Sequence, residues 1–464
     1  MSEFETHRWG DHLKATLVLG LPITGSLLAQ MAVGLTDTVM VGWYGVDELA
    51  AVALATSLFF VFFIVGSGPA MAVMPMAAMA EGEGNTRQVR RVVRMGLWIA
   101  VIYCTVLMPV LWHFEAILLA MGQKPDIARL AQDYMRINQF ALFPAIMIMV
   151  LKSFLSALER PGWILWATIL GAITNALCNY AFIFGNWGAP EMGVQGAAIA
   201  SVVTSFVTFA VLATYTQVHP VLARYAIFIR IWRPDSAALA EVFRLGWPIS
   251  LTMLAEVGLF SASAIMMGWL GTVELATHGI AIQIASIAFM VYLGLSNVAT
   301  IRTGRALGRG DTSGIWYAAI TVTVLQLAVA LVMMILFLAV PDTLIGLFLD
   351  RTGPKADAII AYGQGLLIAA AAFQIVDGLQ VVALAALRGI KDTKVPMICA
   401  VFSYWVVGMP TAYVLAFEAG FGGYGIWTGL VIGLSLAAIT LIWRFLLLMR
   451  RIERQANAEI APLS

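Results

Sequence analysis

Nine stretches of this 464-residue chain run for 20 residues or more without one Asp, Glu, Lys or Arg. They are 15–36, 49–80, 95–114, 161–190, 192–223, 275–301, 312–341, 395–417 and 419–443. A hydrocarbon core of about 30 Å takes about 20 helical residues to cross, so each stretch can span a membrane. Three more windows reach that length if one to three ionisable groups are tolerated near the middle or toward an end: 131–157, 242–268 around Glu256, and 358–386 around Asp377. The predicted total is twelve. In lipid every backbone N–H and C=O must find a partner within the protein, and these runs are continuous rather than alternating at period two. They are therefore helices and not barrel strands. Composition agrees, since 61% hydrophobic and 11% charged residues leave too little polar surface to clothe a soluble domain. A net charge of +1 gives no phosphate-tracking surface, so nucleic acid is not an expected partner. Cys104, Cys178 and Cys399 sit scattered in apolar runs and support neither a disulfide framework nor a metal site. No cleavable signal is expected, because the first apolar run is already of spanning length.

Lys and Arg placement predicts orientation. With both termini cytoplasmic, 21 of the 27 basic residues fall on the inside, among them Arg8, Arg87, Arg90, Arg91 and Arg94. The outside loops hold four: Lys124, Arg129, Arg351 and Lys355. Arg136 and Lys152 lie in the fourth span near its ends, where long stems can snorkel. The basic clusters at 87–94 and 302–309 read as turns that set topology.

The chain also repeats itself. Leu19-Gly20-Leu21-Pro22-Ile23 matches Leu245-Gly246-Trp247-Pro248-Ile249. Gly45 and Glu48 match Gly271 and Glu274, Gly82-Glu83-Gly84-Asn85 matches Gly308-Arg309-Gly310-Asp311, and Gly193 and Gly196 match Gly422 and Gly425. The conserved order predicts a duplication of six helices. The expected division is an N-terminal lobe over 1–215, a cytoplasmic linker over 216–241, and a C-terminal lobe over 242–464 with a short cytoplasmic tail. Both halves enter from the same side, so the pseudo-axis runs along the membrane normal and a site is expected between lobes.

Ionisable groups deep in a bilayer are costly and are functional candidates. Asp37, Glu256 and Asp377 qualify, although each could instead be hydrogen-bonded into helix packing. Desolvation disfavours a charged carboxylate and a bound cation restores it. A buried acid can thus trade a proton, Na⁺ or an organic cation for one another, and Glu256 and Asp377 could share one ion. Asn175 and Asn179 are spaced i, i+4 on one helix face at a depth like that of Asp37, so Asp37 and Asn179 are expected neighbours. Gln30 and Gln283 are polar and mid-span. Tyr292 and Phe373 are candidates for a cavity wall where a cation can stack. His278, alone near a span end, reads as structural. Pro69, Pro75, Pro109, Pro144 and Pro410 predict kinks or broken helix hydrogen bonds.

These residues together resemble the multidrug and toxic compound extrusion family, in its NorM-type branch. The resemblance rests on Pro22 with Thr36-Asp37-Thr38, on Glu159-Arg160-Pro161-Gly162 with Asn175 and Asn179, and on Glu256. It rests further on Thr300-Ile301-Arg302-Thr303-Gly304, and most specifically on Gln374-Ile375-Val376-Asp377-Gly378-Leu379-Gln380 followed by Leu387-Arg388-Gly389-Ile390-Lys391-Asp392-Thr393. The sequence departs from the family at Tyr292, where a proline is expected, and at Phe373, where some relatives carry tyrosine. The resemblance implies two six-helix lobes forming a V around a central cavity, in the cytoplasmic (inner) membrane. It implies an antiporter that exports small organic cations by alternating access against H⁺ or Na⁺, needs no other cofactor and works as a monomer. Asp37 would be the first-lobe acid, and Glu256 and Asp377 the second-lobe cation site, with possible Na⁺. The alternative is a flippase for lipid-linked precursors of related fold, which would want a basic cavity. An enzyme would need a catalytic cluster that the chain lacks.

Overall fold

The computed structural model describes residues 9–349, 353 and 355–460. Arg8 and Arg351, two of the basic residues counted above, lie outside them. Among the described residues there is no strand, and twelve helices are long and apolar enough to cross a membrane. The first six are α1 (Trp9–Tyr44), α2 (Val46–Gly82), α3 (Thr86–Trp112), α4 (Pro125–Ala157), α5 (Gly162–Phe184) and α6 (Gly193–Val218). The second six are α7 (Ser236–Leu270), α8 (Thr272–Gly308), α9 (Thr312–Ala339), α10 (Ala356–Gly389), α11 (Lys394–Glu418) and α12 (Gly422–Ile460). The protein is an all-helical, multi-pass membrane protein, as the charge-free windows predict.

The prolines divide into two kinds. α4 tightens into a 3₁₀ turn at Gln139–Ala141, just before Pro144, which has no N–H to offer the preceding turn. α11 widens into π-helix at Phe402–Gly408 and Val414–Glu418, on either side of Pro410. By contrast α2 runs unbroken through Pro69 and Pro75, and α3 through Pro109. At Pro69 the reason is visible. The carbonyl of Val65 has lost its N–H partner there, and the Ser250 hydroxyl of α7 donates to it at 2.7 Å.

The basic clusters are not turns. α3 begins at Thr86 and α8 continues to Gly308, so most of these arginines are helical. A 37-residue helix is about 55 Å long at 1.5 Å per residue, longer than a hydrocarbon core of about 30 Å, so a helix can carry a charged end without ending in a turn. At the start of α3 the arginines grip the backbone of the 224–231 segment. Arg90 Nε donates to the Tyr225 carbonyl at 2.5 Å. Arg94 donates to the Ile227 and Ala226 carbonyls, each at 3.0 Å, and Trp98 Nε1 to the Ile231 carbonyl at 2.6 Å. Tyr225 is fully buried and its hydroxyl donates to Glu81 at 2.6 Å.

Chain packing forms two compact units. One is residues 21–250; the other is 251–460 together with 9–20. The division falls inside α1 and inside α7, within two residues of the paired Pro22 and Pro248, and the segment 216–241 lies within the first unit. In the second unit Arg302 donates to Thr16 Oγ1 at 2.6 Å and to the His12 carbonyl at 3.1 Å, and the His12 ring stacks on Tyr317 at 4.9 Å.

The repeated punctuation has a common physical origin. Gly84 and Gly310 take left-handed backbone, with φ of 71° and 70°, to end α2 and α8. The next residues, Asn85 and Asp311, cap α3 and α9 by accepting from the N–H groups of Gln88 at 3.0 Å and Gly314 at 2.7 Å. Gly193 and Gly422 are likewise left-handed, with φ of 52° and 56°.

Asp235 accepts from Arg91 at 2.8 Å and caps α7 through the Ala238 N–H at 3.1 Å. The Arg91 guanidinium, helped by that N–H, holds the carboxyl down at about 2. Because the folded value lies below the unfolded value of about 4, its stabilisation is complete above that pH and disappears as pH falls towards 2. The pair is partly exposed and worth only about 0.5 kcal/mol. Thermal unfolding followed from pH 6 down to pH 2.5 should show a midpoint gap between wild type and Asp235→Asn that closes with acidification; a gap independent of pH would count against this assignment.

Candidate functional site

Within the unit 21–250, α1, α2, α4, α5 and α6 enclose a cavity of about 170 Å³. Its wall includes Asp37 and Gln30 of α1, Lys152 of α4 and Asn175 of α5, with Thr and Ser hydroxyls from α6. Asn179 Nδ2 donates to Asp37 Oδ1 at 2.5 Å and to Asn175 Oδ1 at 3.2 Å. The i, i+4 amides and the acid thus form one chain of hydrogen bonds, as their spacing predicts. Asn175 Nδ2, Asn179 Oδ1 and Thr204 Oγ1 are buried without a hydrogen-bond partner. Each such atom costs about 1–3 kcal/mol unless something polar meets it. Tyr134 of α4 is buried and interacts electrostatically with Asp37.

The second unit holds a denser polar cluster. On α10, Gln374, Asp377 and Gln380 recur every three residues and share a face. Asp377 is 1% exposed and interacts electrostatically with Glu256 of α7. Tyr292 of α8 and Tyr404 of α11 are fully buried and both interact electrostatically with Asp377. Tyr404 sits in the π-helical part of α11 and interacts electrostatically with both acids. Gln326 of α9 packs against Gly378, 3.3 Å from where a side chain would begin. Polar atoms of all of these, and of Ser403, are buried without a hydrogen-bond partner: Glu256 Oε1, Asp377 Oδ1, both tyrosine hydroxyls and the amides of Gln326, Gln374 and Gln380. Two carboxylates ringed by hydroxyl and amide oxygens suit a proton or a hard cation, which prefers oxygen ligands. Arg388, at the end of α10, is a cation that interacts with Glu256.

The family model described as MatE matches two segments, residues 22–181 and 248–414. The chain belongs to the MatE family. The two matched segments begin at Pro22 and Pro248, the prolines that the internal repeat pairs. This MatE chain is 48% identical over 445 residues, covering 96% of it and 95% of the relative, to a Rhizobium meliloti (strain 1021) protein named probable multidrug resistance protein NorM. It is 47% identical over 449 residues, 97% of each, to an Agrobacterium fabrum (strain C58 / ATCC 33970) protein of the same name. Its fold is that of the crystal structure of the eukaryotic MATE transporter AtDTX14, with TM-score 0.84 over 97% of this chain and 99% of that one, at 20% identity. MatE proteins of this kind are membrane transporters and not enzymes.

In this MatE protein the residues predicted from sequence separate into three groups. Asp37, Asn175, Asn179 and Gln30 gather at the first cavity. Glu256, Asp377 and Tyr292 gather in the second cluster. Gln283 and Phe373 join neither. Gln283 is exposed on α8, and Phe373 is core, edge-on to Phe260 at 6.0 Å and to Trp427 at 5.5 Å. His278 is structural, accepting from Trp427 Nε1 at 3.2 Å. Lys152 does not snorkel; it turns into the first cavity, where its Nζ donates to Gln30 Oε1 at 3.4 Å. Sequence reading missed Lys152, Tyr134, Gln326, Gln380, Ser403 and Tyr404.

Proposed function

We propose that this protein is a secondary antiporter that exports small organic cations across the cytoplasmic membrane in exchange for H⁺ or Na⁺. The observation that carries the reading is the pair of acidic sites in separate units: part-buried Asp37 on its amide chain, and part-buried Glu256 with buried Asp377 among unpartnered hydroxyls and amides. The name of its relatives, multidrug resistance protein, supports the cargo class. Both termini face the cytoplasm on the Lys/Arg distribution, and the protein works as a monomer by exposing its site alternately to the two faces of the membrane. Asp37 binds the cargo cation or a proton. Glu256 and Asp377 bind the coupling ion, Na⁺ or H⁺. Each charge entering down 100 mV supplies about 2.3 kcal/mol, roughly 50-fold accumulation if fully coupled. One lysine balanced by one carboxylate is not the basic cavity that a flippase of anionic lipid precursors would want.

The test is ethidium uptake into proteoliposomes with the pH gradient, the Na⁺ gradient and the membrane potential imposed separately. Uptake driven by one ion gradient and abolished by the matching ionophore is expected. Indifference of uptake to all three gradients would overturn the antiport.

A further inference from the structure

The first cavity has opposite charges at its two ends. Asp37 and Gln30 lie seven residues apart on α1, two turns on the same face and about 10 Å along the axis. Asp37 marks one end, held by Asn179. Lys152 marks the other, held only by the neutral Gln30 at 3.4 Å. Among the described residues Lys152 forms no ion pair. Between the ends the wall is mixed: Val33, Phe63, Ile148 and Met149 are apolar, and the α6 hydroxyls lie among them, but no other charged group lines it. A half-buried ammonium with no carboxylate on it gains from an anion brought to it, and it repels the far end of a cargo that is purely cationic.

We propose that Lys152 makes this cavity selective for zwitterionic amphiphiles, whose carboxylate seats on the Lys152 ammonium while their cationic end faces Asp37. The inference rests on the export function proposed above and narrows its substrate class. A matching cargo carries its two charges about 10 Å apart across a flat or apolar body. A cation without the acid pairs with Asp37 but meets Lys152 as a like charge, so removing that charge favours it. Lys152 is thus a specificity residue, and its loss shifts the two classes of cargo in opposite directions.

Export of norfloxacin, of its methyl ester and of ethidium is measured in proteoliposomes containing the full-length protein. Norfloxacin has an ammonium and a carboxylate at opposite ends of an aromatic body, and the ester lacks only the acid. In Lys152→Met the kcat/KM ratio of norfloxacin to its ester is expected to fall about tenfold or more, through KM, as for truncation of one partner of a desolvated charge pair. The KM for ethidium is expected to fall. Lys152→Arg, which restores the cation, is expected to restore most of the ratio. Lys152→Gln is the second variant should the methionine fail to fold. A norfloxacin-to-ester ratio unchanged within twofold in a folded neutral variant overturns the proposal. So does an equal loss for all three compounds, which would assign Lys152 to the helix packing. Failure of the wild-type protein to move ethidium under any gradient is a different result and strikes the antiport instead.

Discussion

Replacing Asp377 with asparagine is expected to cut ion-driven export about 100-fold while leaving the protein folded. Asp377 is 1% exposed and shares its cluster with Glu256, Tyr292 and Tyr404. The substitution keeps side-chain volume and removes one negative charge from a site where charge is poorly screened. Removing one of the charges that would hold the coupling cation in such a site is worth about 3 kcal/mol of binding, which is roughly two decades. The loss should be confined to the driven reaction, because Asp37 and the cavity proposed to take the cargo belong to the other unit. Exchange of ethidium across proteoliposomes without an imposed ion gradient should therefore persist in Asp377→Asn when gradient-driven uptake has gone. Glu256→Gln should behave alike if the two acids hold one ion. Wild-type driven uptake in either variant would remove the cluster from the coupling step.

The second large effect concerns folding. At Gly246 a side chain would begin 2.6 Å from the backbone nitrogen of Pro69, and at Gly68 one would begin 2.5 Å from the Gly246 carbonyl oxygen. Here α7 and α2 touch backbone to backbone, and that closeness lets Ser250 reach the Val65 carbonyl that Pro69 strands. Gly246→Val must push the helices apart. It overpacks against main chain, which cannot rotate away, and exposes that carbonyl to an unpartnered state. A loss of about 3 kcal/mol is expected, at the upper end of overpacking penalties. Gly279→Ala, where nothing lies within 4 Å, is the control and should be close to neutral. Thermal unfolding in detergent, read by tryptophan fluorescence, compares them; equal midpoints for the two variants would contradict the packing argument.

Much of the architecture was legible because lipid imposes one rule on every span, and charge-free windows report it directly. What they misplace is the ends. Arg87 to Arg94 look like a turn because they are polar, yet a helix that outruns the hydrocarbon stays helical, and those side chains find backbone carbonyls to grip. The acids were legible because a carboxylate in an apolar run has few reasons to be there. The i, i+4 amides were legible because 3.6-residue periodicity puts them on one face. Tyr404 was not, since it lies in a π-helical stretch, whose spacing differs from the 3.6-residue period and which a sequence does not announce. Gln283 illustrates the converse: depth does not fix azimuth, and this exposed residue lines neither the first cavity nor the acidic cluster. Lys152 was hidden by its nearness to a span end, where an outward-reaching stem and an inward-turned one have the same sequence.

The way Arg90, Arg94 and Trp98 hold the carbonyls of Tyr225 to Ile231 has a practical meaning for anyone who would re-engineer the chain. The stretch between the sixth and seventh helices invites a fluorescent-protein insertion or a cleavage sequence, yet there such cargo would evict a row of main-chain acceptors from their donors. A reporter seated there would record damage to α3 before it recorded any transport.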